Sequence, residues 1–129
     1  MKENAAIDPT SPRIRWIKFR GQEILQVDFS HCTAAQVREV AMKVPSCIMK
    51  RRRGSVLVLT DFSNALFDAD ALQQMRQTAI LDKPFVKKSA LIGATSLPRD
   101  FYESVQSNSG RVLPIFESRE EALEWLIAD

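Results

Sequence analysis

The pattern of apolar and polar residues along the chain predicts short strands that alternate with helices. Apolar and polar residues alternate over 14–19 and again over 23–29, and Gly21 lies between the two runs. Two alternating runs joined by a glycine-containing turn are typical of a β-hairpin. In the second run, Ile24 and Gln26 share one face while Leu25 and Val27 share the other. This alternation predicts a half-buried strand.

A first helix is predicted to begin at Thr33. Thr33 and Gln36 have the spacing of a capping box, in which the threonine hydroxyl accepts a hydrogen bond from the amide three residues later. The apolar face that follows consists of Val37, Val40, Ala41 and Val44. Pro45 removes an amide donor, so we expect a kink or a restart there, with Ile48 continuing the apolar face. Gly54 is expected to end the helix after a basic run.

The remaining elements continue the alternation of strands and helices. The residues of 56–59 are all apolar, which predicts a central strand over 55–62 that is covered on both faces. A helix over 68–82 follows, and its inward side is predicted to carry Leu72, Met75, Ala79 and Ile80.

Three further elements and a last helix complete the prediction. A strand is expected over 86–94, and a third helix, capped by Ser96, is expected to run to 109. Pro114 cannot donate a ladder hydrogen bond, so the strand over 112–117 is placed at an edge of the sheet. Ser118 and Glu121 form a second capping box for a helix that ends at 127.

This order predicts a single α/β domain with a mixed sheet of about five strands, an N-terminal hairpin and four helices. The domain is expected to span 13–129, with a flexible leader over 1–12. Strands that alternate with helices are parallel, and the loops at their carboxyl ends meet at one edge of the sheet, where ligands bind. Those loops are 30–33, 61–67 and 93–97.

Composition and charge narrow the classes of function. The 129 residues include 18 basic and 16 acidic ones, and a formal net charge of +2 does not favour nucleic acid as a partner. No apolar run is long enough to span a membrane, and the N-terminus lacks the apolar core of a secretory signal. We therefore expect a cytoplasmic protein in which Cys32 and Cys47 are reduced.

The loop after the central strand contains the strongest candidate site. Its polar residues, which could bind a partner, are Asp61, Ser63, Asn64, Asp68 and Asp70. The three carboxylates would suit Mg²⁺, but they match no defined ligand spacing. Asp68 suits the N-cap of the following helix, and Asp70 complements the helix dipole. We favour capping over a metal site and expect no cofactor.

Two further loops carry weaker candidates. Thr95 and Ser96 precede a helix and could bind an anion through free backbone amides, although a plain turn is the simpler interpretation. His31 and Cys32 could form a reactive thiolate at a helix start, but adjacent residues rarely orient toward each other. A packed cysteine is favoured, and a chain with one histidine cannot build a multi-histidine zinc site.

A basic run and a set of aromatic residues each allow two interpretations. The run 50–53 could contact phosphate groups, but cations also stabilise a helix C-terminus, which we favour. The aromatic residues could line a small apolar pocket at the carboxyl edge or belong to the core, which we favour. They are Phe62, Phe67, Phe85 and Phe101.

The element order and the loop at 61–72 resemble the STAS domain of anti-sigma factor antagonists. In that family an Asp-Ser-Ser-Gly-Leu motif opens a helix, and its second serine is phosphorylated. The matching stretch here begins at Asp68 and ends at Leu72, with Asp70 in place of the acceptor serine and Ala71 in place of the glycine. The resemblance therefore implies the fold without the phosphorylation switch.

Three other stretches are similar to a divergent bacterial subgroup of STAS-like proteins. They are GQEILQVD over 21–28, GSVLVLTD over 54–61 and REEALEWL over 119–126. This subgroup is sometimes compared with CRAL-TRIO lipid-transfer domains. The resemblance implies a non-enzymatic regulatory module that binds a protein partner through the 61–70 loop. The alternative is binding or sensing of a small apolar or acyl ligand.

Overall fold

The computed structural model describes residues 13–110 and 112–129. These residues form a five-stranded mixed sheet with four α-helices. This architecture confirms the predicted α/β fold with its opening hairpin. The predicted leader, 1–12, lies outside the described residues. The strands are β1 (Ile14–Phe19), β2 (Gln22–Asp28), β3 (Val56–Asp61), β4 (Val86–Ile92) and β5 (Ile115–Phe116). The helices are α1 (Ala34–Ile48), α2 (Ala69–Asp82), α3 (Arg99–Ser109) and α4 (Arg119–Ile127).

The strands lie in the order β1-β2-β3-β4-β5, so neighbours in sequence are neighbours in the sheet. β1 and β2 are antiparallel, and the three pairs that follow are parallel. Each parallel pair is joined by a helix, as parallel strands require. Helices α1 and α2 and part of α3 pack against one face of the sheet, and α4 packs against the other.

The central strand β3 is buried on both faces, as its continuous apolar run predicts. Val56 and Val58 face the core beneath α1 and α2, whereas Leu57 and Leu59 face the core beneath α4. The neighbouring strand β2 was predicted to be half-buried. Ile24 is instead fully buried against the α4 side, so β2 is covered on both faces there.

Helix α1 begins with the predicted capping box, in which Thr33 Oγ1 accepts from Gln36 N and Gln36 Oε1 accepts from Thr33 N. Of the kink or restart predicted at Pro45, the restart does not occur, because α1 continues through it to Ile48, which extends the apolar face as predicted. Pro45 is buried together with the apolar face, and this packing offsets the missing amide donor. The predicted helix end at Gly54 is wrong, because α1 ends at Ile48 and the basic run 50–53 lies after the helix. The Gly54 amide donates to Pro84 O at 3.0 Å in the approach to β3.

Three other predictions about the helices and strands need correction. Ile80 is 66% exposed, because the buried side of α2 is formed by Ala71, Thr78 and Asp82. Ser96 does not cap α3, which begins at Arg99 after a short 3₁₀ turn. The last strand is only two residues long, although it lies at the sheet edge as predicted.

Candidate functional site

The three loops at the carboxyl ends of β2, β3 and β4 are joined by hydrogen bonds, as the parallel topology predicts. His31 N donates to Ser63 O at 2.8 Å, and Leu66 N donates to Cys32 O at 3.0 Å. The hydroxyl of Ser96 donates to Ala65 O at 2.7 Å. The 61–67 loop is therefore held from both sides.

Gly93 allows the loops after β3 and β4 to approach each other closely. Its φ is +65°, and an added Cβ would overlap Ser63 Oγ and lie 2.7 Å from Ser63 N. A side chain at this position would force the two loops apart. The absence of a side chain is thus a steric requirement of this corner.

The predicted acidic residues have local structural roles. Asp61 Oδ1 accepts from Ser63 N, and Asp68 Oδ1 accepts from Ala71 N, each at 2.8 Å. Asp68 is the N-cap of α2, and Asp70 lies exposed in its first turn. The described residues contain no group of three or more histidine, cysteine or acidic side chains that could hold a metal ion.

The other predicted site residues lie on the surface around the same corner. Asn64 is exposed at a φ of +57°, and Thr95 and Ser96 lie in the exposed 3₁₀ turn. Sequence reasoning missed Leu66, which is 62% exposed between these polar residues. An apolar residue next to Ala65 and Phe67 gives no signal of exposure in the sequence, because the turn geometry decides which of the three faces solvent.

Cys32 is a packed residue, as the simpler interpretation predicts. Its thiol is buried, and both Cys32 and Cys47 are free. Burial raises the pKa of Cys32, with a smaller raising effect from Asp28 and an opposing effect from Arg13. The raised pKa is opposite to that of a reactive thiolate.

The phenylalanines form a partial cluster at the carboxyl edge. Phe29 stacks on Phe62 with ring centroids 5.1 Å apart, and Phe67 meets Phe62 edge-on at 5.6 Å. Phe85 precedes β4 at the opposite end of that strand, so it is not part of the cluster. The predicted aromatic set does not include Phe29, because this residue ends the alternating run 23–29 and is assigned only to one face of that strand.

A pocket of about 160 Å³ lies beneath this cluster, between the sheet and helices α1, α2 and α3. Its walls are mainly apolar. The sheet contributes Val27, Val58 and Leu91, and the helices contribute Val44, Met75 and Phe101. Phe62 and Phe101 are buried, and Phe67 and Phe85 pack against the core, as the favoured interpretation of the aromatic set predicts. Phe62 and Phe101 also line this pocket, as the other interpretation predicts.

Two hydroxyl groups that line the pocket donate hydrogen bonds to backbone oxygens of the protein. Thr78 Oγ1 donates to Ala41 O at 2.7 Å, and the Tyr102 hydroxyl donates to Leu113 O at 2.5 Å. Asp82 differs, since it lines the pocket, is 8% exposed, and has no hydrogen-bond partner for Oδ1. Burial raises the pKa of its carboxyl group to about 7.

Sequence reasoning treated Asp82 only as the end of a helix. A signal was present, because Asp82 follows Thr78 by four residues and Ala71 by eleven, which places all three on one side of α2. The apolar residues at 80 and 81 obscured it, since they suggest a different inward side. Ile80 and Leu81 are in fact 66% and 50% exposed.

Comparison of the chain with protein-family models, with curated proteins and with solved structures finds no match. Within the described residues, no helix combines the length and the apolar character that crossing a membrane requires.

Proposed function

We propose that the chain is a non-enzymatic cytoplasmic module that binds a small, mostly apolar molecule in the pocket between the sheet and α1–α3. The observation that carries this proposal is the pocket itself. A volume of about 160 Å³ is similar to that of cavities that accept one benzene ring. Apolar walls with a few polar groups are typical of small-molecule sites.

The position of the pocket also supports this proposal. It lies along β2, β3 and β4 and is partly lined by Phe29, Phe62 and Leu97, which belong to the carboxyl-end loops. In sheets of parallel strands, ligands bind outside these carboxyl ends. The proposal agrees with the lipid-transfer comparison that the STAS-like subgroup suggests.

Native mass spectrometry of the protein purified from cells tests the proposal. Val58→Phe replaces a small side chain with a phenyl ring that would fill part of the pocket. Val112→Phe makes the same change at a residue that is 71% exposed. We expect a bound small molecule on the wild type and on Val112→Phe, and none on Val58→Phe. Equal retention by both variants, or a wild type without any bound molecule, contradicts the proposal.

A second function, binding of a protein partner through the 61–70 loop, is favoured by the exposed side chain of Leu66. In the sequence this apolar residue lies between the exposed Asn64 and the exposed Asp68 and Asp70, on a loop held by hydrogen bonds to both neighbouring loops. A fixed loop that presents one apolar side chain among acidic ones suits recognition of a partner with an apolar pocket and basic rim. This is the role that the STAS resemblance implies.

Cross-linking in cells, followed by identification of the captured proteins, tests the second function. Leu66→Ser and Asp70→Lys are expected to lose a partner that the wild type captures. Leu81→Ser, at a residue 50% exposed on α2, is the matched control and should keep it. Asp70→Lys should change the melting temperature little, because Asp70 makes no hydrogen bond that caps the helix. Equal capture by all variants contradicts the proposal.

A further inference from the structure

Asp82 is a buried carboxylate in a pocket whose other walls are mainly apolar. Asp82 is 8% exposed and lines the pocket. Among the buried side-chain oxygen and nitrogen atoms of the described residues, its Oδ1 is the one without a hydrogen-bond partner. We propose that the ligand of this pocket carries an amine whose N–H groups bind the carboxylate of Asp82. This inference rests on the proposed ligand-binding function and adds the chemical class of the ligand.

The place of Asp82 in the fold is unfavourable for a carboxylate on two counts. Burial removes the group from water, which raises its pKa to about 7. Asp82 is also the last residue of α2, where the helix dipole disfavours a negative charge. Asp68, at the other end of the same helix, caps the first turn and has a clear structural role. Asp82 has no comparable role in holding the fold together.

Neighbouring polar groups leave the carboxylate oxygen unsatisfied. The hydroxyls of Thr78 and Tyr102 donate to backbone oxygens elsewhere. Lys83 also lines the pocket, but it is exposed and does not donate a hydrogen bond to Asp82 Oδ1. Rotation about the Cβ–Cγ bond of an aspartate is broad, so either of its oxygens can turn toward a bound group. None of the described residues therefore donates to Asp82 Oδ1, which leaves this oxygen available to a donor from a bound ligand.

A protonated amine suits this position better than the other common head groups. It supplies both N–H donors and a positive charge, and hydrogen bonds between charged groups are about twice as strong as neutral ones. A hydroxyl supplies a donor without the charge. A carboxylate ligand would place two negative groups close together, which disfavours ionisation of both. The expected ligand is thus a single ring or a short apolar chain that ends in an amine.

Four probes of similar size test the inference: benzylamine, benzyl alcohol, toluene and benzoate. Their dissociation constants are measured with the full chain at about pH 8, where Asp82 is mostly ionised. The same titrations are made with Asp82→Asn and with Asp100→Asn, a matched removal of an exposed carboxylate that does not line the pocket. Competition with toluene and the loss of binding in Val58→Phe locate each probe in the pocket.

We expect benzylamine to bind the wild type about tenfold or more tightly than toluene, with benzyl alcohol between them and benzoate weakest. Asp82→Asn should remove the advantage of the amine, and Asp100→Asn should preserve it. If toluene binds but the four probes bind alike, or benzoate binds best, the inference is overturned while the ligand-binding function stands. If no probe binds, toluene included, the proposed function itself fails.

Discussion

The carboxyl group of Asp82 makes the stability of the fold depend on pH in an unusual direction. Its pKa rises from an ordinary value of 3.8 to about 7 in the folded protein, because burial disfavours the charged form. Below about pH 4 the group is protonated in both the folded and the unfolded chain. As the pH rises toward 7, the unfolded chain releases the proton while the folded protein keeps it. The folded state therefore loses stability over this range.

The size of the loss follows from the two pKa values. At about 1.4 kcal/mol per tenfold change in the dissociation constant, the rise from 3.8 to about 7 corresponds to about 4 kcal/mol. Entry of water into the site when the group ionises reduces this penalty, so we expect about 2 to 4 kcal/mol. The penalty is complete above about pH 7, where both states are ionised.

Asp82→Asn removes the titration and isolates this contribution. The free energy of unfolding in urea is measured for wild type and variant between about pH 4 and about pH 8. The new amide adds a cost that does not vary with pH, so the prediction concerns the difference between the two proteins. That difference should shift in favour of Asp82→Asn by about 2 to 4 kcal/mol across the range, mostly between about pH 4 and pH 7.

Asp70→Asn serves as the control, because Asp70 is exposed in the first turn of the same helix. We expect its difference from wild type to vary with pH by less than about 1 kcal/mol, the usual range for a charge near an exposed helix end. A flat difference for Asp82→Asn, or a shift that favours the wild type as the pH rises, would refute the argument. A flat difference would mean that burial does not penalise the ionised carboxylate, and a shift that favours the wild type would mean that the carboxylate has a favourable partner in the fold.

Other predictions concern positions outside the pocket. Gly54→Ala, at φ +67° with no atom near the new Cβ, should lower the free energy of unfolding in urea by about 1 to 2 kcal/mol. Gly93→Ala has a similar φ of +65°, but its Cβ would overlap the neighbouring loop, so the loss should be about 1 to 3 kcal/mol larger. Equal losses would contradict the close approach of the two loops. Asp68→Ala should lower the free energy of unfolding by about 1 kcal/mol and Asp68→Asn much less, since asparagine also caps helices, whereas equal costs would exclude capping. A thiol reagent should label Cys47 before Cys32, which is buried and has a raised pKa, and equal rates would contradict that burial.

Features that depend on neighbouring residues in the sequence were predictable. The capping of α1 by Thr33 and of α2 by Asp68 follows from hydrogen bonds within one turn, so local spacing is sufficient to place them. The central position of β3 was predictable as well, because a strand with a continuous apolar run needs cover on both faces.

Features that depend on packing between distant elements were not predictable. The side of α2 that faces the sheet is decided by its packing against α1, where Thr78 donates to Ala41 O, and this contact leaves Ile80 exposed. The continuity of α1 through Pro45 likewise depends on tertiary burial, which outweighs the local preference. The pocket is formed by six elements together, so the role of Asp82 emerges only when those elements are assembled.

The central claim is that the space between the sheet and α1–α3 accepts a small apolar molecule. Titration of the ¹⁵N-labelled chain with toluene, followed by amide chemical shifts, tests it most directly. We predict saturable shifts at pocket residues such as Val58, Leu91 and Tyr102, and none at Leu123 and Leu126, which lie beneath α4 on the other face. Shifts that do not saturate, or that are equal on both faces of the sheet, would contradict the claim.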